Sequence, residues 1–299
     1  MKKIVLFYGI LLAALLALPA PALLQDVSWQ PFHGFDVPFV PTPAEVVAEM
    51  LRLAEVRAGD VLYDLGCGDG RIVIAAAKRF GVKAVGIDIH PVRIKESNDN
   101  AAKAGLAGKV RFVQQNLFEA DFKDATVVTM YLLTSVNLRL RPKLLAELKP
   151  GTRLVSHSFE MAEWRPDKTT VVATSFGDQH DVHFWIVPAN VTGRWEWDLG
   201  DAAGKNHCVL EASQQFQIVT ASGREGDRPF SVNDVKLAGD VIKFRIDAEA
   251  DGKMISEIYE GKVAGDTIAG TVRRAGNDKA AAVSWTAVRD PKTATSIAR

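Results

Sequence analysis

The chain has no surplus of charge of either sign: 36 Lys and Arg stand against 36 Asp and Glu, so the formal net charge is zero over 299 residues. Binding a polyanion relies on excess Lys and Arg to neutralise its phosphates, so nucleic acid is not an expected partner. No long run of like charge marks a solvated tail either. Cysteine is equally scarce. Cys67 and Cys208 are the only two, far apart and without C-x-x-C spacing. That excludes a disulfide framework and argues against a zinc centre, and no metal site is expected. With 47% hydrophobic residues the chain is neither disordered nor low in complexity, and its length suggests about two domains.

The one long apolar run lies at the start. Lys2 and Lys3 precede uninterrupted apolar residues over 4–18, and Ala20-Pro21-Ala22 follow. This is the layout of a basic n-region, an h-region and a small-residue cleavage site, so residues 1–22 read as a signal peptide. Read on to Leu24, the same stretch is long enough for a signal anchor, although Pro19 and Pro21 favour cleavage. In both versions the rest of the chain is expected to be exported, either periplasmic or anchored to the outer face of the cytoplasmic membrane.

Residues 23–37 read as a linker, with Trp29, Pro31 and Gly34 and no periodicity. A helix is expected from Thr42-Pro43-Ala44-Glu45, with Thr42 as N-cap, Pro43 in the first helical position and Glu45 completing a capping box. Strand-like runs at 61–63, 84–87, 110–113, 126–130 and 153–156 then alternate with helical patterns at 72–80, 91–104 and 136–148. Such alternation implies βαβ units and a parallel sheet covered on both faces. Two further runs, 170–174 and 182–187, have no helix between them, which leaves room for an antiparallel edge. The expectation for residues 38–190 is therefore an α/β, Rossmann-like domain.

Beyond residue 190 no helical pattern recurs. Short β-like runs at 194–197, 216–220, 241–246, 256–259, 267–272 and 282–288 are separated by Gly and Asp turns. Leu237-Ala238-Gly239-Asp240-Val241-Ile242 is echoed by Val263-Ala264-Gly265-Asp266-Thr267-Ile268, both in the form strand, tight turn, strand. Residues 191–299 are expected to form an all-β domain, a barrel or a sandwich.

The chemistry is concentrated in Asp64-Leu65-Gly66-Cys67-Gly68-Asp69-Gly70, which follows the first strand and opens the first crossover helix. Glycine lets a ligand lie close to the backbone there. Asp88 ends the second strand, where a carboxylate can accept hydrogen bonds from both hydroxyls of a ribose. The dinucleotide fingerprint fails, because its third glycine is replaced by Arg71, and no Lys-Ser or Lys-Thr phosphate loop is present. What remains resembles motif I of the class I methyltransferases, whose S-adenosylmethionine cofactor carries an amino acid in place of a pyrophosphate. With Pro38 to Pro43, Val85-Gly86-Ile87-Asp88 and Tyr131-Leu132-Leu133, the chain is similar to the small seven-strand protein-lysine methyltransferases. That group includes archaeal enzymes and the mitochondrial enzyme acting on the c-type subunit of ATP synthase. The similarity runs from Pro38 into the 180s and does not reach the β-rich region.

The resemblance implies a seven-stranded sheet, S-adenosylmethionine as cofactor and a protein lysine as methyl acceptor. Thr42 would face the cofactor carboxylate, in keeping with the free amides of a helix N-terminus. Asp64 and the backbone at Gly66 and Gly68 would hold the methionine part, and Asp88 the ribose. Asn116 stands where relatives carry Asp, and its amide oxygen can accept the same bond from the adenine amino group. Tyr131 and Asn137 would meet the acceptor nitrogen, and His157, Glu160 and Trp164 would line the substrate side. His180 and His183 read as structural, and His90 receives no role. A second reading, of a different class, is an exported binding or scaffolding module of the cell envelope that keeps the fold without turnover.

Overall fold

β1 (Val61–Leu65) is buried at four of its five positions and β4 (Val127–Met130) at all of them. Strands that are apolar on both faces belong at the centre of a sheet covered on both sides. They pair in parallel, Leu62 beside Val127 and Leu65 beside Met130. With β2 (Lys83–Asp88), β3 (Val110–Gln114), β5 (Arg153–His157), β6 (Lys168–Ala173) and β7 (Gln179–Ile186) they form a seven-stranded sheet in the order β3-β2-β1-β4-β5-β7-β6. The first five in that order are parallel, while β7 runs antiparallel to both β5 and β6. The edge left open by the sequence is thus a hairpin. The strand order reverses between β1 and β4, which opens a crevice at their carboxyl ends.

The computed structural model describes residues 37–201, 204–250, 252–276 and 281–297. The expected signal segment at 1–22, and the linker through Asp36, lie outside the described residues. Among the described residues, no helix is long and apolar enough to cross a membrane.

Four helices cover the sheet: α1 (Ala44–Leu53), α2 (Arg71–Phe80), α3 (Pro91–Lys103) and α4 (Thr134–Glu147). Val46, Met50 and Leu51 of α1 pack with Ile72, Val73 and Ala76 of α2 in one core. On the other face Leu140 and Leu144 of α4 pack with Met130, Trp164 and Trp185. Trp164, expected to line the substrate side, is instead fully buried in this second core. A large aromatic ring gains more from that burial than from an exposed rim.

The capping box does not form. Pro43 is the N-cap of α1 and no side chain caps the helix. The Thr42 hydroxyl turns inward instead, to the ring of His157, and Glu45 accepts from the Ser175 amide at 3.2 Å. A long-range partner has displaced the local one.

Residues beyond the sheet form a closed, eight-stranded antiparallel barrel: β8 (Gly193–Asp201), β9 (Gly204–Gln215), β10 (Ile218–Glu225), β11 (Arg228–Ala238), β12 (Val241–Ala250), β13 (Lys253–Ala264), β14 (Thr267–Arg274) and β15 (Val283–Arg289). Each strand pairs with the next in sequence, and β15 returns to β8 through Val288 beside Glu196. Closure removes the exposed edges that a sandwich would keep. Trp197, Phe244, Tyr259 and Trp285 cluster in its interior, with ring centroids 5.1–5.9 Å apart. The two echoed turns join β11 to β12 and β13 to β14, with Gly239 and Gly265 at φ +60° and +61°. Cys67 and Cys208 are buried free thiols, one in the sheet core and the other in the barrel.

Barrel and sheet share packing. Phe216, at the β9–β10 turn, is 2% exposed and belongs to the second core of the sheet. The Ala189 amide donates to Gly239 O at 2.8 Å.

Candidate active site

The glycine-rich turn after β1 is tied to the end of β2: Gly66 N and Cys67 N both donate to Ile87 O, at 2.8 and 3.0 Å. Gly66 and Gly68 hold φ of +79° and +52°, a region that disfavours any residue with a Cβ. A Cβ on Gly66 would stand 2.7 Å from Leu132 Cδ2, and one on Gly68 2.5 Å from Phe39 Cε2. Asp88 closes the turn from below, accepting from Gly68 N at 2.9 Å with one oxygen and from His90 N at 2.8 Å with the other. Each oxygen keeps a further lone pair for a ligand. His90 itself caps α3, accepting from Val92 N at 3.1 Å.

Asp64 lies beneath this turn, 2% exposed, and accepts from Thr129 Oγ1 at 2.7 Å. Burial pushes its pKa up to about 7, and the neighbouring Asp88 and Asp69 carboxylates add to the shift. A buried carboxylate among like charges favours a cationic ligand. Phe39 lies against Gly68, and the Arg93 guanidinium sits 4.4 Å above its ring. Arg71 donates to Thr42 O at 2.8 Å and pairs with Asp69 at 2.6 Å, so residues 39–43 are fastened to the glycine turn.

At the ends of β4 and β5 a cluster forms that the sequence did not reveal. The Tyr131 ring lies 3.8 Å from that of His157, and the Phe159 ring stacks with Tyr131 at 6.0 Å. His157 is fully buried; its Nδ1 lies 3.2 Å from Thr42 Oγ1 and its Nε2 3.0 Å from His180 Nδ1. Burial, with His180 alongside, lowers its pKa to about 4. The isolation of His180 in the sequence was misleading: antiparallel pairing sets His157 opposite Val182 and brings His180 beside it. Asn137, also fully buried, donates to Phe159 O at 3.1 Å, and its Oδ1 has no partner among the described residues. The remaining sequence candidates stand apart. Asn116 accepts from Phe118 N at 3.1 Å and donates to Glu119 at 3.2 Å. Glu160 reaches Arg165 at 3.7 Å, and His183 is held by Thr169 at 3.0 Å.

These groups suit a nucleoside that carries an amino acid. Two glycines leave room for its close approach, a carboxylate with further lone pairs can accept from two hydroxyls, and a second, buried carboxylate favours a cation. Comparison with known proteins decides the family. A protein-lysine N-methyltransferase of Saccharolobus islandicus is 51% identical over 152 residues, which is 50% of this chain and 94% of the archaeal protein. The chain belongs to the class I S-adenosylmethionine-dependent methyltransferases, in the protein-lysine N-methyltransferase family. The ANTKMT methyltransferase domain family matches residues 64–168. The mouse adenine nucleotide translocase lysine N-methyltransferase is 34% identical over 147 residues, 49% of this chain and 64% of the mouse protein. Among solved structures, an RNA methyltransferase of Salinibacter ruber with bound S-adenosyl-L-homocysteine is 51% identical, covers 51% of this chain and 96% of its own, and has a TM-score of 0.48.

The cofactor of this methyltransferase is S-adenosylmethionine. The family match over residues 64–168 begins in β1 and ends at the start of β6, so the barrel lies outside it.

Proposed function

We propose that this methyltransferase methylates the side-chain amine of a protein lysine. The observation that carries the reading is the 51% identity extending over 94% of the archaeal protein-lysine N-methyltransferase. The balanced charge, 36 against 36, agrees with an acceptor that is not a polyanion.

When bound, the cofactor supplies an electrophilic methyl group on a cationic sulfur. Asp88 would hold the ribose hydroxyls, and Asn116 the adenine edge. Asp64 would face the cationic amino group, with the Gly66 and Gly68 backbone beneath it. Thr42 and the first turn of α1, whose N-cap Pro43 has no side-chain cap, would face the carboxylate. Tyr131 presents an aromatic face at the end of β4, where cationic centres are favoured. The Asn137 Oδ1, buried without a partner among the described residues, is the acceptor that would orient the entering amine. A neutral His157 behind Tyr131 adds no positive charge that would repel the acceptor. The contribution of these groups is alignment: once the lysine ammonium has given a proton to water, its nitrogen lone pair would form the bond to the methyl carbon while the methyl–sulfur bond breaks and its electron pair stays on the sulfur.

Incubating the full chain with methyl-labelled cofactor and a protein extract is expected to label a protein band, and mass spectrometry to place the methyl group on lysine. Acetylating the lysines of the extract beforehand should abolish the label. Tyr131→Ala should lower it without a matching loss of cofactor affinity. Label in RNA, or on another residue type, would overturn the lysine assignment.

A further inference from the structure

The pairing of buried His157 with half-buried His180 has a consequence for the Thr42 hydroxyl. Thr42 Oγ1 carries one hydrogen and can direct it to a single acceptor. A hydroxyl that donates to His157 Nδ1, 3.2 Å away, has none left for a ligand. If Nδ1 carries the hydrogen instead, it donates to Thr42 Oγ1 and the hydroxyl is free to donate elsewhere. A neutral imidazole with hydrogen on Nδ1 has a lone pair on Nε2, and that lone pair faces His180 Nδ1 at 3.0 Å. A hydrogen on His180 Nδ1 therefore selects the His157 tautomer, which in turn selects the direction of the Thr42 hydroxyl. The Tyr131 ring, 3.8 Å away, restrains the imidazole against rotation.

Thr42 is 4% exposed, and its carbonyl is already occupied by Arg71 at 2.8 Å. Its hydroxyl stands next to the first turn of α1, whose N-cap Pro43 provides no side-chain cap. An anion at this place would meet backbone amides of the first turn together with the hydroxyl. The α-carboxylate is the only anionic group of the cofactor.

We propose that His157, oriented by His180, is a positioning residue that presents the Thr42 hydroxyl as a hydrogen-bond donor to the carboxylate of S-adenosylmethionine. This rests on the cofactor placement given above and adds the residues that set one donor of that site.

The test is calorimetric titration of the full chain with S-adenosylmethionine and with its decarboxylated analogue, which keeps the adenosine, the sulfonium and the amine. Thr42→Val should weaken S-adenosylmethionine binding by about tenfold or more, the worth of one hydrogen bond to a charged group, and His157→Ala, which leaves that hydroxyl in place but unoriented, should weaken it by a smaller factor. Both should change binding of the analogue far less. The double variant should lose no more than Thr42→Val alone, because both residues act through one hydroxyl. His157→Asn should recover most of the affinity, since its amide nitrogen can replace Nδ1 as donor. Equal losses for both ligands would show that His157 only supports the fold and would overturn the proposal. So would unchanged binding in a folded His157→Ala or Thr42→Val variant, with the cofactor placement left standing. A wild-type chain that binds neither ligand would overturn the placement itself, and the proposal with it.

Discussion

Phe216 of the barrel stacks on Trp164 of the sheet domain, with ring centroids 5.9 Å apart and planes 12° from parallel. Both rings are buried, at 2% and 0% exposure. The barrel thus supplies a core residue to the methyltransferase sheet. Phe216→Ala should destabilise the chain by about 3–5 kcal/mol, as a buried aromatic truncation does. A chain ending at Asn190 loses the ring altogether and uncovers Trp164, so its unfolding midpoint should fall below that of the full chain. Denaturant titration measures both. Midpoints equal to the wild type would show that the shared packing adds nothing to stability.

Asp64 and His157 impose opposite pH dependences on stability. Burial, with Asp88 and Asp69, raises Asp64 from 3.8 to about 7. Its contribution is therefore full below about pH 4 and is lost as pH rises through about 7. Burial lowers His157 from 6.5 to about 4, so its contribution is present above 6.5 and is lost as pH falls through about 4. Between about pH 4 and 6.5 the two oppose each other. In Asp64→Asn only the histidine remains of this pair, and stability should rise with pH across that window. A flat or falling profile in the variant would show that His157 is not held neutral in the folded chain.

Gly68→Ala should weaken cofactor binding on two grounds. The new Cβ would stand 2.5 Å from Phe39 Cε2, and φ +52° is strained for alanine. Adding Phe39→Ala removes the clash and leaves the strain, so the double variant should recover part of the lost affinity in a calorimetric titration. No recovery would mean that Phe39 is not what Gly68 makes room for.

We propose that the chain works outside the cytoplasmic membrane, on the strength of Lys2, Lys3 and the apolar run over 4–18. Cell fractionation with N-terminal sequencing should find an exported chain beginning near Leu23. An intact Met1 on a cytoplasmic protein would contradict the proposal.

The sheet was legible because each of its central strands is a short apolar run followed by a helix-period pattern. The turn that carries Asp64, Gly66 and Gly68, and the place of Asp88 at the end of β2, were legible because both stand at strand ends in that alternation. The β6–β7 edge showed itself by the missing helix. Barrel closure could not be read, since it depends on Val288 meeting Glu196, residues 92 apart in sequence. β9 and β11 were missed as whole strands: polar residues such as Lys205, Asn206, Asn233 and Asp234 interrupt the apolar alternation that marks a strand. The Thr42–His157–His180 chain was invisible for a related reason. Thr42 satisfied a local capping rule, and only the fold brings it to a histidine 115 residues away.

The cofactor placement is tested most directly by calorimetric titration of the full chain with S-adenosylmethionine, in the wild type and in Asp88→Ala. Asp88 can take both ribose hydroxyls while its oxygens also hold Gly68 N and His90 N. Charge-assisted hydrogen bonds contribute roughly 1.5–3 kcal/mol each, so the variant should bind more than tenfold weaker. The expected result is one cofactor per wild-type chain and that loss in a variant that still unfolds cooperatively. Equal affinity in the two proteins would contradict the placement, because the nucleoside would then lie somewhere other than the turn between Asp64 and Asp88.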